Sequence, residues 1–265
     1  MKLSPITTKQ QDILKLLYRY RFLNRIQIQA LMGHKNNRRI AEWLKDLRDK
    51  KYVEWIYDGD NFVEKTKPAI YYLGLNGIRC LRTTDEFPPE ELRKRYKESS
   101  RKQDFIDRCL LIADCCLTLK SKTTSGTQYT FVTVSDYTDP DSGYAFLSEL
   151  QPQLCFIKKT ARNKTAYLLE VFDPTTPRYM VKKRLNDYIA YLEDGNWESE
   201  TEDDKPPVIL IACPTIAELA YVKRRTRKLL TDMWDDETLE DIHIRFATID
   251  KVKSEGVTGI IWEAV

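Results

Sequence analysis

Histidine is almost missing from this sequence of 265 residues, which contains only His34 and His243. Imidazole is a frequent general base and metal ligand, so its scarcity nearly excludes His-ligated metal sites and Ser/His/Asp or Cys/His nucleophile systems. The six cysteines follow the spacing neither of a zinc knuckle nor of a disulfide framework, and most lie in apolar helical or strand-like runs. We therefore expect buried, reduced thiols, and neither a metal nor another cofactor.

Long hydrophobic runs are also missing. No apolar segment approaches the ~20 residues of a membrane-spanning helix, and the first residues, MKLSPITTKQQ, lack the apolar core of a signal peptide. Hydrophobic residues make up 42% of the chain and charged residues 31%, which is typical of a soluble globular protein. We expect a cytoplasmic protein with room for two domains and no membrane partner.

The charge of the chain is unevenly distributed. Residues 1–82 contain 17 lysines and arginines against 8 aspartates and glutamates, a net charge of +9. The remaining residues contain 26 against 32, a net charge of −6. A basic segment joined to an acidic remainder indicates that the first part of the chain binds a polyanion such as nucleic acid.

The basic segment has the pattern of three helices and a β-hairpin. Two pairs of residues have the spacing of a capping box at the start of the first two helices: Thr8 with Gln11, and Asn24 with Gln27. Gly33 ends the second helix, and apolar periodicity predicts a third over 35–50. Strands are predicted over 52–57 and 69–73, followed by a short helix. This order predicts a winged helix-turn-helix domain over residues 1–82.

The third helix carries most of the predicted DNA-binding side chains. In helix-turn-helix proteins, the amino-terminal residues of the second helix of the motif reach base edges in the major groove. Arginines suit guanine or phosphate, whereas asparagines suit adenine or cap the helix. The predicted contacts, including two from a hairpin loop that also carries acidic residues, are Lys35, Asn36, Asn37, Arg38, Arg39, Lys45, Lys65 and Lys67. Two alternatives stay open: an ordinary solvated face, and a winged helix that binds protein.

Residues 83–100 contain paired prolines and dense mixed charge, which predicts a linker with a short helical piece. Residues 101–265 then follow the order helix, three strands, helix, strand, which is the core order of the PD-(D/E)XK nucleases. The second of these strands is expected over 144–157, with a break at Pro152. The whole chain is thus predicted to be α+β or α/β, with a central mixed sheet in a second, nuclease-like domain.

A later helix, predicted over 216–230, has an unusual density of positive charge. Five of the six residues from Lys223 to Lys228 are lysine or arginine. Two interpretations stay open for this cluster: an accessory phosphate-binding patch, or cations that are simply favourable near the carboxyl end of a helix.

The nuclease site that this architecture would carry is incomplete. Its chemistry needs an aspartate on the second strand and an acidic residue plus a lysine on the third, which hold Mg²⁺ and stabilise charge at the phosphate. Glu170 fits the acidic position, but Gln153 stands in place of the aspartate and Phe172 in place of the lysine. Asp173 or Lys182 could move into the site, although nothing in the spacing requires it. We therefore predict a degenerate site with no catalytic residues.

Short motifs run along the chain in a fixed order: DILKLLYRYRFLNRIQIQALM, AEWLKDLRDKKYVEW, AIYYLGLNGIRCL, LQPQLCF, YLLEVFD, KKRLNDYIAYLEDGNW, PPVILIACP, FATIDKV and GIIWEA. In this set the sequence resembles the replication-relaxation family of bacterial plasmids and integrative elements. The resemblance implies a winged helix joined to a degenerate nuclease-like domain, in a setting of replication, DNA relaxation or mobilisation. Gln153, Phe172 and Gln103, where the family often has other residues, weaken any inherited catalytic role.

Together these features predict a non-enzymatic protein that binds double-stranded DNA. It would act as a replication or relaxosome accessory factor, or as a transcriptional regulator, of a mobile element. The second domain would bind a protein partner or another copy of the chain. Two other functions stay open: a metal-dependent nuclease with a rearranged site around Glu170, and a protein-interaction subunit of a mobilisation or defence complex.

Overall fold

The computed structural model describes residues 3–61, 64–139, 141–201, 203, 205–233 and 242–265. The chain falls into two compact units, Met1–Leu117 with Thr138–Ser142, and Thr118–Tyr137 with Gly143–Val265. The predicted domain limits at 82 and 101 do not coincide with this division. No helix within the described ranges is both long and apolar enough to cross a membrane.

The first unit begins with three helices, α1 (Thr8–Tyr20), α2 (Arg25–Leu31) and α3 (Asn37–Asp49). Asn24 and Gln27 form the predicted capping box of α2. The box of α1 is formed by Thr7 and Gln10, so that prediction is wrong by one residue. The sequence TTKQQ offers both pairs at the same spacing. Gln10 is the buried glutamine, and its amide also donates to Asp46 of α3 at 2.6 Å, so a contact between helices decides the cap.

A small antiparallel sheet completes this part of the first unit. Strands β2 (Val53–Ile56) and β3 (Ile70–Leu73) pair with each other, and β3 also pairs with β1 (Leu23–Asn24), the short strand before α2. The helix α4 (Leu75–Arg82) follows β3. A Cβ on Gly77 would collide with the Tyr52 carbonyl, so only glycine lets α4 pass this close to the start of β2. Buried apolar residues of the helices, the sheet and the turn before β1 include Ile13, Leu17, Phe22, Ile28, Ile40, Leu44, Leu47 and Leu73.

The segment 83–100, predicted to be a linker with a short helical piece, is largely helical. It contains α5 (Pro89–Lys94) and a 3₁₀ helix (Arg95–Ser100). Proline suits the first turn of a helix, because the N–H that it lacks has no partner there. Glu98 is only 1% exposed, and it accepts hydrogen bonds from Arg21 at 2.7 Å from Nε and at 2.9 Å from Nη2. One charge of this segment is therefore buried and paired.

Within the described residues, the second unit contains a six-stranded mixed sheet of order β4-β5-β6-β7-β8-β9. β5 pairs antiparallel with both β4 and β6, β6 to β8 are parallel, and β9 pairs antiparallel with β8. The protein is therefore mixed α/β with a central mixed sheet, as predicted. The strands are β4 (Thr127–Thr133), β5 (Leu154–Thr160), β6 (Lys164–Val171), β7 (Val208–Cys213), β8 (Ile244–Thr248) and β9 (Glu263–Ala264).

Helices precede β4 and connect most of the later strands, and buried apolar side chains of several of them form a core with the sheet. The described helices are α6 (Gln103–Lys122), within which the two units divide, α7 (Val134–Tyr137), α8 (Arg178–Glu193), α9 (Asn196–Glu200), α10 (Ile216–Met233) and α11 (Ile249–Glu255). Every residue of β7 is buried, as its continuous apolar run predicts. The prediction of a strand over 144–157 is wrong in its first part. Ala145–Ser148 forms a 3₁₀ helix there, Leu147 is buried, and β5 begins only after Pro152.

Candidate nucleic-acid interface and the buried Glu170 site

The amino-terminal end of α3 is exposed and capped. Asn36 Oδ1 accepts a hydrogen bond from the Arg39 N–H at 3.1 Å. The His34 ring contacts the Asn36 backbone and packs edge-to-face on Trp43, with 5.2 Å between ring centroids. Asn36 is predicted either to contact adenine or to cap the helix, and in the structure it caps α3. Asn37, in the first turn, is exposed.

Arg38 and Arg39 share one carboxylate, Glu42, on the outer face of α3. Arg38 Nε lies 3.3 Å from Glu42 Oε1, and Arg39 Nη1 lies 3.7 Å from Glu42 Oε2. The Arg38 side chain is 90% exposed and that of Arg39 57%. Exposed pairs of this kind contribute about 0–1 kcal/mol, so both guanidiniums can exchange Glu42 for a phosphate at small cost. Lys35 and Lys45 are also exposed.

The other two predicted lysines lie in the connection between β2 and β3. Lys65 belongs to the 3₁₀ helix Glu64–Thr66, and Lys67 follows it; both are exposed. The Tyr57 hydroxyl donates to the Lys65 carbonyl at 3.4 Å. Residues 62–63 of this connection lie outside the described residues. The predicted side chains therefore fall on two segments of the first unit: α3 with the turn before it, and the β2–β3 connection.

An aromatic cluster that the sequence pattern does not predict lies beside α3. The Arg48 guanidinium, near the end of α3, stands over the Trp55 ring at 4.1 Å from its centroid. Trp55 in turn stacks with Tyr57, with ring centroids 5.2 Å apart. The two rings are 39% and 44% exposed, although large aromatic residues are usually well buried. The alternation of Trp55 and Tyr57 in the strand predicted over 52–57 is visible in the sequence, but their exposure is not.

In the second unit, the predicted pair of Gln153 and Glu170 is in contact. Glu170, near the end of β6, is 3% exposed. Gln153 Nε2 donates to Glu170 Oε1 at 3.1 Å, and Gln153 Oε1 accepts from the Val171 N–H at 2.8 Å. An ionised aspartate has no hydrogen to donate, whereas the glutamine amide can donate to a carboxylate. Gln153 therefore stabilises a single buried carboxylate instead of adding a second one.

Two residues of α8 complete this site, and sequence reasoning missed both. Arg184 approaches Glu170 Oε2 with Nη2 at 2.5 Å and Nε at 3.2 Å, and its Nη1 donates to the Leu150 carbonyl at 2.8 Å. The Tyr188 hydroxyl donates to the same Glu170 oxygen at 2.8 Å. Arg184 and Tyr188 are four residues apart, so they lie on one face of α8. That spacing is visible in the sequence, but nothing in it identifies Glu170 as their shared partner.

The protonation states of the Glu170 site follow from burial and from the neighbouring charge. Burial lowers the pKa of Arg184, but the Glu170 carboxylate and Tyr188 raise it, and the net pKa lies above its usual value. Burial raises the pKa of Tyr188 well above its usual range, and the carboxylate adds to that shift. Near neutral pH, Arg184 is therefore a cation and Tyr188 a neutral donor. Arg184 and Tyr188 both donate to the Glu170 carboxylate, which is the group that a metal ion would need as a ligand.

The remaining residues of the predicted nuclease site lie elsewhere. Phe172 is buried in the hydrophobic core. Asp173 lines a pocket beyond the ends of β6 and β7, together with Arg178 and Glu218, and Lys182 is exposed on α8. In the part of the chain that the structure describes, no three His, Cys, Asp or Glu side chains form a group that could hold a metal ion.

Residues 14–203 match the family described as replication-relaxation. That range contains α3 and the Glu170 site, whereas β7, α10 and β8 lie beyond it, as do the PPVILIACP, FATIDKV and GIIWEA stretches. No curated protein matches the chain. Because the match covers well over half of its length, the chain belongs to the replication-relaxation family, and a replication-related role fits that membership.

Proposed function

We propose that the first unit is a winged helix-turn-helix domain that binds double-stranded DNA. The observation that carries the proposal is the amino-terminal end of α3, where Arg38 and Arg39 are exposed beside a capped helix start. This is the position from which helix-turn-helix proteins reach base edges in the major groove. The order of three helices and a hairpin and the net charge of +9 over residues 1–82 support it.

The two kinds of contact have different tasks in this proposal. Arg38 and Arg39 contact guanine edges or phosphates, and Lys35 and Lys45 contact phosphates beside them. Lys65 and Lys67 add phosphate contacts from the β2–β3 connection. Asn36 serves α3 as its cap, which leaves Asn37 as the asparagine that is available to a base.

The second unit, in this proposal, has a PD-(D/E)XK nuclease-like fold and does not cleave DNA. The contacts of Glu170 support this, because Arg184, Tyr188 and Gln153 bind the carboxylate that would have to hold Mg²⁺. Its role is then to bind a protein partner or a second copy of the chain. We place the protein in the replication or mobilisation of a plasmid or integrative element, or in the regulation of its genes.

DNA binding can be tested with fragments of the element's own DNA in an electrophoretic mobility-shift assay, against random duplex as competitor. The double variant Arg38→Ala with Arg39→Ala should lose at least about tenfold in affinity, since two charged contacts are removed. A matched control is Arg79→Ala with Arg82→Ala on α4, which removes the same charge from exposed positions of the same unit. If both double variants lose the same affinity for DNA, the loss depends on the net charge of the protein and not on the position of Arg38 and Arg39. No loss in the α3 variant would overturn the proposal.

The absence of cleavage needs a separate experiment. Supercoiled plasmid incubated with the protein and Mg²⁺ or Mn²⁺ should stay intact. The informative variant is Glu170→Gln: cleavage by the natural protein that disappears in this variant would establish a nuclease with a rearranged site.

A further inference from the structure

Three cations on α10 form a stripe that points away from the sheet. The side of α10 that packs inward is formed by Leu219, Val222, Thr226 and Leu230, which are buried. Arg224, Arg227 and Lys228 are exposed, and their spacing of three and four residues places them on one opposite face. We refer to these three residues as the α10 stripe.

The position of the stripe removes one of the two interpretations that the sequence leaves open. The helix extends to Met233, and no basic residue lies in its last turn, which instead contains Asp232. The helix dipole acts on charges within the last turn. The α10 stripe lies further towards the middle of the helix, so a favourable dipole does not explain it.

On its own helix the stripe has one acidic neighbour, Asp232, which lies one turn after Lys228. Between Leu219 and Thr231 the sequence of α10 contains no acidic residue. Of the two other cations in the cluster, Lys223 Nζ is 3.3 Å from Glu263 Oε2, and Arg225 is half-buried. Like charges one turn apart on a helix destabilise it slightly. A stripe of this kind therefore gains from an anionic partner.

The neighbouring helix α8 extends the positive surface. The parallel strands β6, β7 and β8 are joined through α8 and α10, so these two helices run in the same direction, and they pack against each other. The guanidinium of Arg178, the first residue of α8, stands over the Tyr221 ring of α10 at 4.9 Å from its centroid. This contact places the start of α8 beside Tyr221. One turn further along α8 come Lys182 and Lys183, both exposed, and no acidic residue occurs from Arg178 to Asn186.

We propose that this outer face of α8 and α10 is a second DNA-binding surface, which contacts the phosphate backbone of a duplex. The inference rests on the proposed DNA binding of the protein and adds a contact from the second unit. Arginine matches phosphate with a planar, bidentate fork, and two of the three cations of the stripe are arginines. A membrane is disfavoured as the partner of this surface. To enter a bilayer, α10 would need its apolar residues, and these are buried against the sheet. Phosphate contacts position a protein without reading sequence, so this surface adds affinity and not specificity.

The experiment measures fluorescence anisotropy of the full chain with a labelled random duplex of about 30 base pairs over a series of salt concentrations. The variant Arg224→Gln with Arg227→Gln and Lys228→Gln should lower the salt slope of the binding constant by about 2 to 3 and weaken binding at least about fivefold. The matched control, Lys122→Gln with Lys159→Gln and Lys253→Gln, removes three exposed charges elsewhere in the same unit and should keep most of the slope.

The outcomes separate this surface from α3. If the α10 variant binds with the same affinity and slope as its control, the inference is overturned. If the α10 variant loses binding and the Arg38→Ala, Arg39→Ala variant does not, the second surface stands and the proposed role of α3 fails. A third arm uses vesicles containing about 30% phosphatidylserine. Loss of vesicle binding with unchanged duplex binding in the α10 variant would assign the surface to a membrane and overturn the inference.

Discussion

Glu98 in the first unit and Glu170 in the second are the most deeply buried glutamates among the described residues, and the surroundings of these two carboxylates differ. Glu98 in the first unit is held by Arg21 in a bidentate pair, with Arg101 at 3.5 Å and the buried Arg95 at 4.0 Å. Glu170 in the second unit is held by a single arginine, Arg184, together with a phenol and an amide. The first carboxylate lies among several positive charges, and the second has one cation and neutral donors.

This difference shows two uses of the same side chain. Glu98 attaches the 3₁₀ helix after α5 to the end of α1, so the segment 83–100 becomes part of a folded unit. Glu170 attaches β6 to α8 through Arg184 and Tyr188. In both cases the buried charge positions secondary structure, because a buried ion is tolerated only when charge and hydrogen bonds satisfy it.

The largest effect is expected from Glu98→Ala. The substitution leaves Arg21 and the buried Arg95 without their carboxylate, and uncompensated buried charge should lower the free energy of unfolding by about 4 kcal/mol. Urea unfolding followed by circular dichroism measures it. In the control, Glu86→Ala removes a carboxylate whose pair with Lys15 is exposed, and should cost less than about 1 kcal/mol. Similar losses in the two variants would contradict the role assigned to Glu98.

A somewhat smaller effect is expected from Glu170→Leu, about 3 kcal/mol, because the Arg184 side chain keeps 20% exposure and retains some water. Adding Arg184→Met should recover at least half of this loss, since no charge is then left buried without a partner. The same unfolding measurement applies to the single and double variants. If the double variant loses more unfolding free energy than the two single variants lose together, Arg184 has another essential partner.

Alkaline pH should weaken the second unit through its buried thiols. Burial raises the pKa of Cys155 and of Cys213 to about 12 from the usual 9.0. Both thiols lose their protons more readily in the unfolded chain, so their stabilising contribution is complete below pH 9.0 and is lost as pH rises from there towards 12. The loss should be about 1 kcal/mol per thiol at pH 10.

The test compares how steeply stability falls between pH 8 and 10, not stability at one pH. Cys155→Ala with Cys213→Ala should flatten this fall, although the truncations themselves cost stability at every pH. An unchanged slope would mean that other groups, such as the buried tyrosines, control alkaline unfolding.

The smallest effect is expected where the proposed function lies. Arg38→Ala with Arg39→Ala removes only exposed ion pairs with Glu42, so the free energy of unfolding should change by less than about 0.5 kcal/mol. Thermal and urea unfolding of the variant check this. A loss comparable to that of Glu170→Leu would mean that reduced DNA binding in this variant reports damage to the fold.

Local patterns in the sequence predict local structure well in this protein. Asn24 and Gln27 cap α2 as predicted, and Gly33 takes the positive φ of 62° at its end. The buried run of β7 and the apolar face of α8 are also found where periodicity places them. The predictions fail where contacts between distant residues determine the local structure. The contact of Gln10 with Asp46 selects the cap of α1, and a 3₁₀ helix replaces the first part of the strand predicted over 144–157.

The candidate sites divide in the same way. The exposed cations of α3 are visible in the sequence, since a helical face is determined by residue spacing alone. Arg184 and Tyr188 are not, because their partner Glu170 is 14 and 18 residues away and the pairing exists only after α8 packs on β6.

The sequence by itself determines the division of charge, the positions of most helices and strands, and the presence of a single acidic residue, Glu170, in an apolar run. Only the tertiary structure decides what that acidic residue does, where the linker charges go, and that the cations of α10 lie away from the end of their helix. The physical reason is that periodicity and capping act over a few residues, whereas the burial of a charge depends on which partners from other elements surround it.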